Sequence, residues 1–433
     1  MRSSLVAAFA CFGGALLGLA SGTVVAAAAD KPKVPLSVSG RWIVDSTGQR
    51  VKLRCINWAG HLEANVPEGL HRQSVEGVAG WIAAQGYNCV RLTYSIDMAR
   101  NPTLGVEASF RAAAAASGAD EAAVMALYAA ARERNPFLGA ATVLDVFDRV
   151  QAALWDRGVM TILDNHVSRA SWCCDLGDGN GWWSDARFYM KETSRYFDTA
   201  QWHDGLAAMA AWSRARPGVV GLSLRNELRA SVLQIPFAPR TWLAYMPAAA
   251  RIVHAAAPDA LVIVGGINGG TDLSPLRTVG PMDMSTGSGG GGSWAAKRVW
   301  EAHAYSFTIT TPSFGICPLL KAEYGGLFGF VLEQDRGAVT GPLFLSEFGV
   351  GMTGGPHDGL SDDDYKYLTC LVEYMEDNDA DWAHWAVQGS YYVRGGSVDY
   401  NETWGALDYD WQDWRNPKFK AMLGKMPDVT QGP

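Results

Sequence analysis

Eight short apolar runs recur along the chain, at residues 51–58, 88–94, 160–166, 219–227, 261–266, 299–305, 342–349 and 381–387, each closed by polar or turn-forming residues. Between them, at 74–85, 143–157, 202–214, 241–256 and 362–378, apolar residues return every three or four positions. Short continuous apolar runs read as strands buried on both faces, and the longer period reads as amphipathic helix. Strand and helix in repeated alternation predict an α/β fold, a single-domain (β/α)8 TIM barrel with parallel strands. An open, doubly wound sheet would carry a glycine-rich dinucleotide loop after its first strand. Asn57-Trp58-Ala59-Gly60-His61 is not one.

Three stretches exceed a minimal barrel. Residues 36–50 predict an N-terminal hairpin turning at 45–48. The alanine-rich residues 99–142 predict two helices inserted after the second strand, where such insertions line the open face. Residues 280–296, with Gly289 to Gly292 consecutive, precede the sixth strand and predict a flexible loop at the opposite face, away from chemistry.

The start of the chain bears on location. Met1-Arg2-Ser3-Ser4 leads into an uncharged stretch that ends in alanines before Asp30. One positive charge, an apolar block and a small-residue end predict a secretory signal peptide at residues 1–29, with a catalytic domain at 30–433. An uncleaved membrane anchor is the competing reading, since the stretch could span a bilayer. Cleavage implies a secreted protein with no membrane partner, and a monomer is expected. It also removes Cys11, leaving Cys55, Cys89, Cys173, Cys174, Cys317 and Cys370. An even set in an exported chain favours disulfides, with fifteen pairings open.

Composition narrows the ligand. The formal net charge is −8 without a basic run, which excludes nucleic acid and fits a neutral substrate. No Cys/His zinc spacing appears, so neither metal nor cofactor is expected. The chain carries 17 Trp, more than packing alone asks for; some of these indoles suit the C–H faces of sugar rings.

Function in such barrels sits at the C-terminal strand ends. Here six runs finish in polar or aromatic groups: Arg91 to Tyr94, Asp164-Asn165-His166, Arg225-Asn226-Glu227, Glu301 to Tyr305, Ser346-Glu347 and His384-Trp385. Two facing carboxylates, without a metal cluster or a nucleophile–histidine pair, predict glycoside hydrolysis. Glu227 is expected as acid/base and Glu347 as nucleophile. Arg91 and Tyr305 would keep Glu347 ionised, and Asn226 would bind the sugar 2-hydroxyl. His166 and His303 would bind hydroxyls or the acid, and Trp385 would floor the reacting sugar. A metal-dependent hydrolase on the same barrel would need His-x-His at the first strand, where Ile56-Asn57-Trp58 stands. A silent carbohydrate-binding barrel is the other alternative.

These eight residues, Arg91, His166, Asn226, Glu227, His303, Tyr305, Glu347 and Trp385, together resemble the signature of glycoside hydrolase family 5, the cellulase family. The stretches Trp172-Cys173-Cys174, Asp178-Gly179-Asn180-Gly181 and Leu222-Ser223-Leu224-Arg225-Asn226-Glu227 are similar to its plant and fungal cellulase-like subgroup. The resemblance spans roughly residues 36–423 and implies a retaining β-glycosidase acting on a β-linked polysaccharide or oligosaccharide. Mannan- or mixed-linkage-specific members share that mechanism. Plant relatives usually carry Trp where this chain has Ala304, a difference expected to enlarge one subsite.

Overall fold

The computed structural model describes residues 31–285, 293–308 and 316–433. The expected signal segment and the glycine run at 289–292 lie outside these. An antiparallel hairpin, β1 (Ser37–Ser39) and β2 (Trp42–Val44), precedes the barrel. Its turn is at Gly40-Arg41, where Gly40 has φ +58°, a region glycine enters without steric cost. The turn expected at 45–48 does form, with Gly48 N donating to Asp45 O at 3.0 Å, but it joins β2 to Arg50 instead of closing β1 on β2.

All eight runs become barrel strands: β3 (Arg54–Trp58), β4 (Cys89–Ser95), β5 (Met160–Val167), β6 (Val219–Ser223), β7 (Leu261–Gly265), β8 (Arg298–Ala304), β9 (Leu343–Phe348) and β10 (Asp381–His384). They pair in chain order as parallel neighbours, and β10 closes on β3. The fourth run is shortened. β6 stops at Ser223, so Asn226 and Glu227 stand on the loop beyond it. A last β7 contact, from Leu224 N to Ile263 O at 3.0 Å, aims that loop inward over the mouth.

Strand side chains alternate between the barrel interior and the helix ring. Low in the interior, Cys55, Cys89, Ile162, Ile263, Val299 and Phe344 form an apolar plug. Outward residues such as Leu92, Leu163, Leu222, Val264 and Leu345 join the larger core beneath the helices. Most tryptophans belong to that outer layer. Trp58, Trp202, Trp242 and Trp300 are fully buried, and their Nε1 atoms donate to the carbonyls of Glu68, Leu224, Gly265 and Val339 at 2.8–2.9 Å. Each bond removes a desolvation cost of about 1–3 kcal/mol for an unpaired buried donor. Three of the 17 line the cavity at the mouth.

The helices follow their expected spans closely, as in Val75–Ala84, Val143–Trp155 and Asp362–Asn378. The last begins with Asp362, Asp363 and Asp364, negative charge at the positive end of the helix dipole. The insertion forms two helices, Val106–Ser117 and Glu121–Arg134, but contributes nothing to the wall of the catalytic cavity. It packs on a second hairpin, β11 (Ser390–Arg394) and β12 (Ser397–Asn401), with Phe110 against Tyr392 at 4.8 Å between ring centres. That hairpin, not the insertion, brings Arg394 to the mouth. The described part of 280–296 lies at the opposite end, where Met284 meets Arg298 at the start of β8.

The six cysteines form Cys55–Cys89, Cys173–Cys174 and Cys317–Cys370. The first joins directly paired residues of β3 and β4, and the last joins helix Cys317–Leu327 to helix Asp362–Asn378.

Candidate active site

A cavity of about 330 Å³ opens at the C-terminal end of the barrel, with Glu227, Glu347, Tyr305, His166 and Trp385 in its wall. Arg91, Asn226 and His303 stand directly behind, almost without solvent contact. All eight residues expected from the sequence therefore come together. They arrive from six strands and the loops that follow them, the interior-facing positions above the apolar plug.

Arg91 is the hub. Its Nη1 donates to Glu347 Oε1 at 2.6 Å and to Asn57 Oδ1 at 3.0 Å, and its Nη2 donates to Asn226 Oδ1 at 2.9 Å. Asp164 Oδ1 and Glu301 Oε1 lie 2.9 and 3.1 Å from the same Nη2. One guanidinium thus faces three buried carboxylates. Burial alone would favour its neutral form, but Asp164, Glu301 and Glu347 outweigh that and raise its pKa above an already high value.

Glu347 is held on its second oxygen by Tyr305, whose hydroxyl donates to Oε2 at 3.0 Å. Its pKa is nonetheless raised, because burial outweighs the charges of His303 and Arg91, which pull it down. Arg91 acts in the direction expected of it, favouring the ionised form, without reversing the effect of burial. His303 spans the two carboxyls. Its Nδ1 lies 3.1 Å from Glu227 Oε1 and 3.6 Å from Glu347 Oε2. Burial lowers its pKa, but Glu347 and Glu227 prevail and the net shift is upward. A carboxylate oxygen of Glu227 and one of Glu347 come within 4.8 Å of each other.

On the other side, Asp164 Oδ2 accepts from His166 Nδ1 at 2.6 Å. Burial, with the nearby charges of Arg91 and His303, holds His166 well below its ordinary pKa, so the ring is neutral with Nε2 as acceptor. Asn226 Nδ2 supplies the matching donor at 3.2 Å. Both nitrogens of His166 are therefore engaged by protein, and its imidazole stacks on Trp385 at 5.5 Å and 20°. Arg229 donates from Nη1 to the Glu227 carbonyl at 2.8 Å and from Nη2 to Asp178 Oδ2 at 2.7 Å. In the loop 178–181, then, a guanidinium and backbone N–H groups occupy the oxygens that a cation would use.

Sequence reasoning left several members without a role. Asp164 and Glu301 were visible as polar residues at strand ends. Asn57, which also donates from Nδ2 to Ser346 O at 2.9 Å, carried no signal beyond its interior parity. Trp404 and Phe307, beside Tyr305 in the wall, come from loops with no periodicity. Ala304 is fully buried in the outer core, one position out of phase with His303. It faces away from the cavity, so its small size does not enlarge a subsite.

A family model for cellulase (glycosyl hydrolase family 5) matches residues 44–390. A glycosyl hydrolase 5 family protein from Chamaecyparis obtusa is 38% identical over 413 residues, covering 94% of this chain and 68% of that protein. An endoglucanase from Paenibacillus polymyxa is 22% identical, covering 93% and 90%. Among solved structures, an endocellulase from Pyrococcus horikoshii in complex with cellotetraose superposes with a TM-score of 0.67 at 19% identity, covering 92% of this chain and all of the other. The match over most of its length and the close plant relative identify the chain as a glycoside hydrolase, a member of glycosyl hydrolase family 5.

Proposed function

We propose that the chain is a secreted, retaining β-glycosidase that cleaves β-linked glucan by double displacement. The observation that supports the retaining outcome is the approach of a carboxylate oxygen of Glu227 to within 4.8 Å of one of Glu347. Retaining pairs stand about 5–5.5 Å apart, whereas inverting pairs need about 6.5–9.5 Å to admit a water between them. In the first step Glu347 attacks the anomeric carbon while Glu227 gives its proton to the departing glycosidic oxygen. A glycosyl ester forms on Glu347 as the C–O bond to the leaving sugar breaks. In the second step Glu227 takes a proton from water, and the resulting hydroxide displaces Glu347.

The other groups act on this pair. Arg91 and Tyr305 bind both oxygens of Glu347 and orient it. His303 Nδ1–H donates to Glu227 Oε1, fixing the acid over the leaving group. Trp385 offers a flat apolar face to the reacting ring, and Asn226, directly behind the cavity wall, carries the amide N–H assigned to the 2-hydroxyl. The β-glucan assignment is supported by the endoglucanase relatives and by cellotetraose in the similar endocellulase. Export is supported by the composition of residues 1–29.

Replacement of either carboxylate tests the reading. Glu347→Ala and Glu227→Ala should each lower turnover of an aryl β-cellobioside by several orders of magnitude. Azide should rescue Glu347→Ala as a glycosyl azide of inverted configuration. Turnover near the parent level in either variant overturns the assignment.

A further inference from the structure

Cys173 and Cys174, bonded to each other, stand in the cavity wall with the two catalytic carboxylates, a position that structural staples do not need. The bond closes a link between consecutive residues, so it ties no distant parts of the fold together. It touches Arg229, whose Nη1 lies 3.5 Å from Cys173 Sγ, and Asn226. Nδ2 of that side chain lies 3.4 Å from Cys174 Sγ and 3.7 Å from Cys173 Sγ. Its Oδ1 is taken by Arg91 at 2.9 Å, and one N–H is directed at His166 Nε2 at 3.2 Å. His166 is itself locked as an acceptor by Asp164. The second N–H of Asn226 therefore faces the disulfide.

Disulfide sulfur is a weak hydrogen-bond acceptor and, unlike a thiol or a hydroxyl, cannot donate. It holds the amide in one orientation without satisfying the second N–H as strongly as an oxygen would. We propose that the Cys173–Cys174 disulfide is a positioning and specificity element: it keeps one Asn226 N–H poised and weakly engaged, free to be taken by the 2-hydroxyl of the reacting sugar. This rests on the retaining β-glycosidase reading above, within which Asn226 meets that hydroxyl. Two thiols in its place would rotate independently and add S–H donors against the amide. An oxygen side chain would bind the N–H and compete with the sugar.

The test compares an aryl β-cellobioside with its analogue lacking the 2-hydroxyl on the reacting sugar, in the full chain. Cys173→Ala/Cys174→Ala should lower kcat/KM on the parent substrate by tenfold or more and change it by less than twofold on the 2-deoxy substrate. An equal loss on both, or no loss on either, overturns the proposal. Reduction gives a second measurement should that variant fail to fold. In a Cys317→Ser/Cys370→Ser background the remaining second disulfide, Cys55–Cys89, is fully buried. A phosphine that converts Cys173–Cys174 to two thiols, its phosphorus oxidised in turn, should erase the preference for the 2-hydroxyl, and reoxidation should restore it. Unchanged preference after reduction verified by alkylation overturns the idea. Failure of the catalytic reading itself appears separately, as activity retained in Glu347→Ala.

Discussion

Arg91 reaches Glu347 across 2.6 Å from a strand 256 residues earlier in the chain, with neither residue more than 4% exposed. The same guanidinium serves Asp164 and Glu301, so its removal leaves three buried carboxylates without their cation. Breaking a buried pair by taking one partner away costs about 3–5 kcal/mol. Arg91→Met is expected to lower stability by at least that amount in chemical denaturation. Arg91→Lys keeps the charge but loses the planar fork. It should fold and show kcat reduced by roughly a hundredfold; a kcat within threefold of the parent would contradict the role given to the fork.

Tyr305 governs the acidic side of the pH profile. In the proposed mechanism Glu347 works as the carboxylate, and its pKa is already raised by burial. The Tyr305 hydroxyl donates to the charged form and so holds the pKa down. Tyr305→Phe should move the acid limb of kcat/KM to higher pH. A hydrogen bond of about 0.5–1.5 kcal/mol corresponds to as much as roughly one pH unit. A shift toward lower pH, or none, would remove Tyr305 from this role.

Trp385 is expected to act on binding and transition state together. Replacing the indole with alanine withdraws about 2 kcal/mol of apolar contact, roughly thirtyfold in kcat/KM. Steady-state kinetics on cellotetraose would measure it, and Trp385→Phe should recover most of the loss.

Asp379, at the far end of the barrel, predicts a pH effect on stability instead. It pairs with Arg50 and with Lys52 Nζ at 2.6 Å. Burial pushes its pKa up, but the bonds from Arg50, Lys52 and the backbone prevail and bring it down to about 2. A carboxyl lowered on folding stabilises above its ordinary pKa and loses that contribution as pH falls. Asp379→Asn should cost about 3 kcal/mol at neutral pH. Its deficit in Tm should shrink as pH drops from about 4 toward 2. Asn tolerates the φ of +48° at this position, so the backbone is not the cause of any loss.

Much of the barrel was legible in the order of its apolar runs, because each strand is buried on both faces and cannot hide its hydrophobicity. The mouth residues were legible because interior parity and strand-end position are local properties. The end of β6 was not, because Leu222 and Leu224 share one outward face and the apolar pattern continues past the last ladder residue, Ser223. The parts played by Asp164 and Glu301 were hidden for another reason. A buried carboxylate and a surface one look alike in sequence until the strand carrying Arg91 is laid beside them. The pairing of the cysteines was likewise a matter of three-dimensional proximity, with even the adjacent pair open to other partners.

The apolar plug of Ile162, Ile263, Val299 and Phe344 gives the barrel a closed end. Among the described residues, everything above it, including Arg91 and the carboxylates it gathers, meets the outside through the doorway at the C-terminal end of the barrel. The leaving sugar, which carries away the proton given by Glu227, and the water that replaces it must share that route in turn. Under the proposed double displacement, a leaving sugar still bound would stand between the ester on Glu347 and the water that resolves it, so the doorway would have to empty before the second step.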